Sequence, residues 1–184
     1  MSGNSAHFHR RSIRYKEYDY TQPGAYFLTF LTWHRECIFG KITNGNIDLY
    51  DLGNITKQLW MEIPYHFPNV EIEPYVIMPN HIHGIITIIE RNRRGTIYRA
   101  PTKIRNSDSV EERFGKPVAG SIPTIIRSYK AAVSRRARKE LGMVYIWQRN
   151  YFEHIIRDEN EMNDILLYIQ SNPINWLSDP EYTL

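Results

Sequence analysis

Residues 70–90 read VEIEPYVIMPNHIHGIITIIE, and this stretch decides the fold because it encodes two strands with only a short turn between them. Residues 70–78 alternate in part between apolar and polar side chains, which predicts a β-strand. Residues 81–90 form a second, mostly apolar run, so the Pro-Asn pair between the two runs predicts a tight antiparallel hairpin. Pro74 cannot donate a ladder hydrogen bond, which favours an edge strand or a bulge at that position.

The regions on both sides of the hairpin supply further elements. Residues 25–33 (AYFLTFLTW) predict a buried strand, and residues 48–67 predict a helix because apolar residues recur every three or four positions. Residues 121–141 predict an amphipathic helix, which Ser121 caps and Gly142 ends.

The last third of the chain completes the pattern. Residues 145–156 predict a fourth strand, and residues 158–161 (DENE) resemble a capping box that begins a last helix, which Pro173 ends. The order strand, helix, strand, strand, helix, strand, helix predicts an α+β, ferredoxin-like split β-α-β fold. In that fold an antiparallel sheet carries helices on one face, and here a C-terminal helix is added. Unrelated functions share the fold, so it leaves the chemistry undecided.

Composition narrows the class of protein. The chain has 184 residues, 42% of them hydrophobic, which excludes wholesale disorder and suits a single domain. No apolar run approaches the roughly 20 residues of a membrane helix, and the N-terminus lacks the apolar core of a secretory signal. The single cysteine, Cys37, permits no internal disulfide, and we interpret it as a small strand residue. These features predict a cytoplasmic protein that does not enter a membrane.

Positive charge is concentrated in residues 91–142, which contain 14 of the 23 Lys and Arg residues and four acidic residues, a local net charge of +10. The remainder has a net charge of −7. Such asymmetry favours a face that binds a polyanion, although a solvated, partly disordered charge run has the same composition. We divide the chain into a basic N-terminal arm (residues 1–22) and one domain (residues 23–184) that contains a mobile basic loop (residues 91–120).

Two pairs of residues are candidates for chemistry. His81 and His83 are two apart on a predicted strand, so they share a face and can converge on one divalent ion, but ordinary structural histidines show the same spacing. Tyr168 and Asn172 are one turn apart on the predicted last helix. A tyrosine hydroxyl can attack phosphorus, and an amide oxygen suits Mg²⁺ or Mn²⁺. Most helical tyrosines are packing residues, so Tyr168 is one candidate among thirteen tyrosines.

Four blocks of sequence resemble a known family. Residues 75–84 (YVIMPNHIHG) look like the histidine–hydrophobic–histidine motif of single-tyrosine HUH transposases. Residues 24–40 (GAYFLTFLTWHRECIFG), 147–157 (WQRNYFEHIIR) and 168–173 (YIQSNP) are similar to stretches of the REP-associated tyrosine transposases within that superfamily. The resemblance covers about residues 10–177 in order, and the four blocks together are far more specific than the histidine pair alone.

This resemblance implies a transposase that cleaves and rejoins single-stranded, hairpin-containing DNA. By the same resemblance, His81 and His83 bind Mg²⁺ or Mn²⁺ and Asn172 completes the metal shell. Tyr168 is then the nucleophile that forms a 5′-phosphotyrosine intermediate. His154 lies in a matching block, and we interpret it as a structural hydrogen-bonding residue.

Contacts with the DNA backbone are expected from basic residues of the arm and of helix 121–141. These residues are Arg11, Arg14, Arg127, Lys130 and Arg135. Tyr145 and Tyr151 are interpreted as core or DNA-contacting residues. A homodimer and a monomer are both compatible with the resemblance.

Two other functions stay open at this point. A ferredoxin-like sheet can bind single-stranded nucleic acid without catalysis, as a domesticated transposase would. A metal-independent phosphoesterase would need two His-x-Ser/Thr motifs, whereas no hydroxyl residue follows His81 or His83 in that pattern.

Overall fold

A computed structural model of the chain describes residues 18–91, 97–98 and 118–182. Its main sheet contains four strands, which are β1 (Gly24–Leu31), β4 (Val70–Ile77), β5 (His81–Ile88) and β8 (Phe152–Ile156). The smaller strands are β2 (Gly40–Thr43), β3 (Asn46–Leu49), β6 (Glu90–Arg91) and β7 (Ile97–Tyr98). The helices are α1 (Asp51–Met61), α2 (Ile63–His66), α3 (Ile122–Leu141) and α4 (Glu159–Ser171), and two short 3₁₀ turns span Trp33–Arg35 and Trp176–Ser178.

The sheet is antiparallel, with the strand order β4-β5-β1-β8. Numbered along the chain, the strands of this sheet thus lie in the order second, third, first, fourth. This is the strand order of a ferredoxin-like split β-α-β fold. This confirms the predicted fold class. β5 lies at the centre, where His81 pairs with Leu31 and His83 with Thr29 of β1.

The hairpin between β4 and β5 has the predicted form. The Met78 amide donates to the His81 carbonyl at 2.8 Å and closes the turn. β4 is an edge strand, and its register shifts between Ile72 and Tyr75, around Pro74. A proline at an edge and at a bulge leaves no ladder donor unpaired, so both predicted consequences of Pro74 are confirmed.

The two faces of the sheet bury different cores. α1 and α3 pack on one face, where Leu28, Ile82 and Ile86 lie beneath them in the larger hydrophobic cluster. α4 packs on the opposite face, over a smaller cluster that includes Phe27 and Ile85. Strand side chains alternate between faces, so odd-numbered residues of β5 point to the α4 side and even-numbered ones to the α1 and α3 side. The sheet thus lies between two helical layers, and α4 shares its side with Ile42 of β2, Ile47 of β3 and Trp176.

Helix ends follow the predicted chemistry. Ser121 Oγ accepts a hydrogen bond from the Thr124 amide at the start of α3, and Gly142 ends the helix with a left-handed φ of 68°. At the start of α4, Asp158 Oδ1 accepts from the Glu161 amide at 2.9 Å. The Glu161 carboxylate reaches back to the Arg157 amide at 2.7 Å, one residue before the expected partner of a capping box.

Two predicted boundaries and one residue assignment are wrong. The first helix begins at Asp51 rather than at residue 48, because residues 46–49 pair with residues 40–43 across a turn at Asn44 and Gly45. The fourth strand begins at Phe152 rather than at residue 145, since residues 145–151 are irregular apart from one bridge between Trp147 and Thr32. Cys37 is exposed and lies outside any strand.

The N-terminal boundary of the packed domain lies inside the predicted arm. Tyr20 is buried in the larger cluster, and the Tyr18 ring packs against it. Residues 1–17, with Arg11 and Arg14, and most of the predicted loop at 91–120 lie outside the described ranges. Within those ranges, none of the helices combines the length and the apolar character needed to cross a membrane.

Gly84 is required by the close approach of α1 to the sheet. A Cβ atom at this position would lie 2.5 Å from Trp60 Cζ2 and 3.1 Å from Tyr75 Cβ, and Trp60 is fully buried. We expect Gly84→Ala to lower the free energy of unfolding by about 1–3 kcal/mol, measured by urea denaturation. Gly142→Asn is the control, since its Cβ position is open and asparagine tolerates the left-handed region. Equal, small losses of the free energy of unfolding in both variants would show that Trp60 of α1 does not pack closely against Gly84.

Candidate metal centre and tyrosine

His81 and His83 lie side by side at the start of β5, on the face that α4 covers. Their side chains are buried, with residue exposures of 0% and 3%, and the ring centroids are 4.4 Å apart. The i, i+2 spacing on a strand produces this arrangement directly. The structure therefore brings the predicted pair together.

Hydrogen bonds at the Nδ1 atoms orient both imidazoles. Asn80 Nδ2 donates to the Glu181 carbonyl at 2.7 Å, which leaves Asn80 Oδ1 to accept from His81 Nδ1 at 2.8 Å. His83 Nδ1 lies 2.8 Å from Thr29 Oγ1. With the proton on Nδ1 in each ring, the lone pair is on Nε2 and points into the site.

Tyr168 reaches this pair from α4. Its hydroxyl lies 3.1 Å from His83 Nε2, and its ring centroid is 5.0 Å from that of His83. Burial, followed by the charge of Asp179, raises the pKa of Tyr168 to about 12. The hydroxyl is thus a protonated donor at neutral pH, and it lies beside a nitrogen lone pair.

An acidic residue, Asp179, completes the cluster. It follows the 3₁₀ turn after α4, and its Oδ2 lies 4.0 Å from His81 Nε2. Asp179 Oδ2 accepts a hydrogen bond from Asn172 Nδ2 at 2.7 Å, and Oδ1 accepts from the Glu181 amide at 2.6 Å. One ligand atom from each of His81, His83 and Asp179 fits within a mutual distance of 4.8 Å.

The chemistry of this cluster suits a divalent cation. His81 Nε2 and Asn172 Oδ1 are buried and make no hydrogen bond within the described part of the chain. Burial lowers the pKa of His81 to about 4 and that of His83 well below its ordinary value, so both rings are neutral. Buried acceptors that face a carboxylate without a donor between them are unfavourable, and a cation would relieve this. Imidazole nitrogen with carboxylate and amide oxygen is a donor set for Mg²⁺, Mn²⁺ or a similar ion.

Three similarities to known proteins bear on this site. Over 179 residues the chain is 45% identical to an uncharacterised protein of Haemophilus influenzae Rd, covering 97% of this chain and 96% of the relative. A second protein of the same strain, whose name assigns it provisionally to the REP-associated tyrosine transposases, is 26% identical over 156 residues, covering 85% of this chain and 73% of the relative. No protein-family model matches the chain.

A solved structure has a similar fold. A solved structure of a REP-associated tyrosine transposase bound to a REP hairpin superposes with a TM-score of 0.55 at 19% identity, covering 89% of this chain and 73% of that one. The chain is thus similar in sequence to a protein named provisionally as a REP-associated tyrosine transposase, and in fold to a solved member of that group. The resemblance expected from the four sequence blocks is confirmed.

The predicted basic residues of α3 do not lie at the His81–His83 pair. Arg127 and Arg135 are exposed on α3, which packs on the sheet face opposite His81 and His83. Lys130 Nζ donates to the carbonyls of Gln148 (2.9 Å) and Asn150 (3.0 Å), so this ammonium ties α3 to the segment before β8. A DNA contact from any of the three stays a prediction.

The remaining predicted residues have identifiable surroundings. His154 Nε2 lies 2.6 Å from Glu161 Oε1, which agrees with its predicted structural role. Tyr151 packs against the larger core, whereas Tyr145 is 71% exposed and stacks on Trp33. Sequence reasoning missed Asp179, because no spacing rule connects a residue in an irregular C-terminal segment to a strand about 100 positions earlier.

Burial of two neutral histidines makes the metal-free protein sensitive to acid. Their pKa values lie below the ordinary 6.5, so the unfolded chain takes up protons first as pH falls. Stability is therefore full above pH 6.5 and falls from there toward pH 4, by up to about 1.4 kcal/mol per pH unit for each histidine. Urea denaturation in a chelator at several pH values measures this slope. His81→Gln should reduce the slope and the exposed His34→Gln should not; equal slopes in all three proteins would contradict the assignment.

Asp179 should contribute directly to cation affinity. Asp179→Asn keeps the size of the side chain but removes its charge and replaces one of its two accepting oxygens by a donor. We expect Mn²⁺ affinity, measured by calorimetric titration, to fall at least about tenfold. Asp164→Asn, at an exposed position of α4, is the matched control. Unchanged affinity in the Asp179 variant would exclude this carboxylate from the metal centre.

Proposed function

We propose that the chain cleaves and rejoins single-stranded, hairpin-containing DNA through a 5′-phosphotyrosine on Tyr168, with Mg²⁺ or Mn²⁺ as cofactor. The observation that carries this proposal is the 3.1 Å approach of the Tyr168 hydroxyl to His83 Nε2, beside a buried set of unprotonated acceptors. A tyrosine that served only in packing would not require its hydroxyl beside these acceptors.

Four atoms would hold the cation, and they are His81 Nε2, His83 Nε2, Asp179 Oδ2 and Asn172 Oδ1. A bound divalent ion polarises the scissile phosphate and stabilises the negative charge that develops on its oxygens. Asn172 was expected as a ligand from the resemblance, and its unpartnered oxygen supports that role. Its NH₂ group holds Asp179 in place, so one amide would serve both purposes.

Tyr168 supplies the nucleophile. The negative charge of Asp179 is one cause of its raised pKa, so the hydroxyl loses its proton more readily once that charge is balanced. The phenolate oxygen then forms a bond to phosphorus while the bond from phosphorus to the 3′-oxygen breaks, and the leaving 3′-oxygen takes up a proton. The phosphodiester energy is retained in the tyrosine ester. A 3′-hydroxyl can therefore reverse the step and join strands without a nucleotide cofactor.

The arrangement supports action within one subunit. Tyr168, His81 and His83 come from the same chain and already lie together, so a second copy is not required to complete the centre. Arg127 and Arg135, with Arg11 and Arg14 outside the described ranges, would contact DNA backbone away from the reacting phosphate. The hairpin bound to the structurally similar transposase supports a hairpin as the substrate class.

A covalent adduct provides the direct test. Wild-type protein incubated with a library of single-stranded hairpin DNAs and Mn²⁺ should yield an adduct that survives denaturing electrophoresis, and a chelator should abolish it. Tyr168→Phe should form none. Tyr182→Phe is the matched control, since Tyr182 packs on Trp176 near the same centre and should leave the adduct unchanged. An adduct in the Tyr168→Phe protein would refute the assignment of the nucleophile.

A further inference from the structure

An aromatic side chain lies in the open at the corner of the sheet next to Tyr168. Phe152, the first residue of β8, is 48% exposed, whereas Ile156 at the other end of the same strand face is 3% exposed. His154 between them is covered by its bond to Glu161 of α4. Burial on this face thus decreases along β8 toward Phe152.

The path of α4 explains the gap. The helix begins above the Ile156 end of β8 and packs over Ile85 and Val76 toward β4, so it crosses the sheet obliquely. Its crossing leaves the Phe152 corner uncovered. Tyr168, near the end of the helix, is 39% exposed at the border of that corner.

Phe152 is linked to the metal centre through one ring. Phe27 packs edge-to-face against Phe152, with centroids 6.5 Å apart, and against Tyr168, with centroids 6.2 Å apart. Phe27 also stacks on His83 at 5.4 Å. One side chain, Phe27, therefore separates the exposed ring from the site at which a DNA phosphate would bind.

The charges at the two ends of β8 favour a DNA strand that runs over Phe152. Arg149 is exposed three residues before Phe152, whereas Arg157, Asp158 and Glu159 follow the Ile156 end, with a net charge of −1. The two ends are separated by about 13 Å at the usual rise of a strand. A polyanion that leaves Tyr168 would therefore be attracted more to the Phe152 end than to the opposite end.

We propose that Phe152 is a stacking surface for a nucleobase of the single strand that passes Tyr168. An exposed aromatic ring beside a phosphate site is the usual means of holding an unpaired base without reading its identity. The proposal rests on the proposed function in one respect, the position of the strand at Tyr168. It adds a base contact that the metal centre itself does not supply, and it requires an unpaired nucleotide there.

Binding to two probes separates base stacking from charge. All the proteins compared carry the Tyr168→Phe substitution. Fluorescence anisotropy measures their affinity for an oligothymidylate of about 20 nucleotides and for an abasic strand of equal length. Phe152→Ala should weaken binding to oligothymidylate at least about fivefold, the lower end for one base stack, and leave the abasic strand unaffected. Phe152→Leu, which keeps an apolar side chain on the fold, should behave like Phe152→Ala. Phe152→Trp should retain or strengthen binding.

Tyr65→Ala is the control, because Tyr65 is 84% exposed on α2, away from the metal centre. The proposal would be overturned if Phe152→Ala weakened binding to both strands equally, or did not weaken binding to oligothymidylate. If Phe152→Ala does not fold, the Phe152→Leu and Phe152→Trp variants decide the question. A Phe152 effect on binding, together with no adduct on the protein that retains Tyr168, would refute the proposed function alone. Normal adduct formation with no Phe152 effect would refute this inference alone.

Discussion

The side-chain amide of Asn80 makes two hydrogen bonds on which the geometry of the centre depends. Its oxygen accepts from His81 Nδ1, and its nitrogen donates to the Glu181 carbonyl. The first bond places the His81 lone pair inside the site, and the second ties the hairpin turn to the segment that carries Asp179. Because an amide has one acceptor end and one donor end, neither bond can be exchanged for the other without losing both. A local turn residue thereby connects a strand to a segment about 100 residues later.

The sheet separates packing from chemistry. Even-numbered residues of β5 face α1 and α3, where Gly84 lets Trp60 approach, and odd-numbered residues face α4. A strand with such strict alternation keeps its polar residues, His81 and His83, away from the larger core. The cost of burying two imidazoles and a carboxylate is then confined to the thinner layer under α4. This layer is the less apolar of the two, and it is the layer in which the exposed aromatic corner occurs.

Much of this could be predicted from sequence where the information is local. The hairpin, the Pro74 bulge, the Ser121 and Gly142 helix ends and the His81–His83 pairing each follow from neighbours a few positions apart. The β2–β3 hairpin also had a local signal, since Asn44 and Gly45 adopt φ of 52° and 74°, the turn that this dipeptide favours. That signal was outweighed by the helical spacing that begins at the next segment. Asp179 had none, because its place depends on tertiary contacts alone.

The irregularity at Pro74 has a consequence for assembly. An exposed outer strand normally offers a row of donors and acceptors on which a strand of another molecule can add. In β4 the proline lacks a donor and the register shift between Ile72 and Tyr75 bends the row, so a continuous ladder cannot form across this edge. Two copies of the chain are therefore not expected to merge their sheets through β4. A homodimer would have to associate through another surface, such as the opposite edge strand β8.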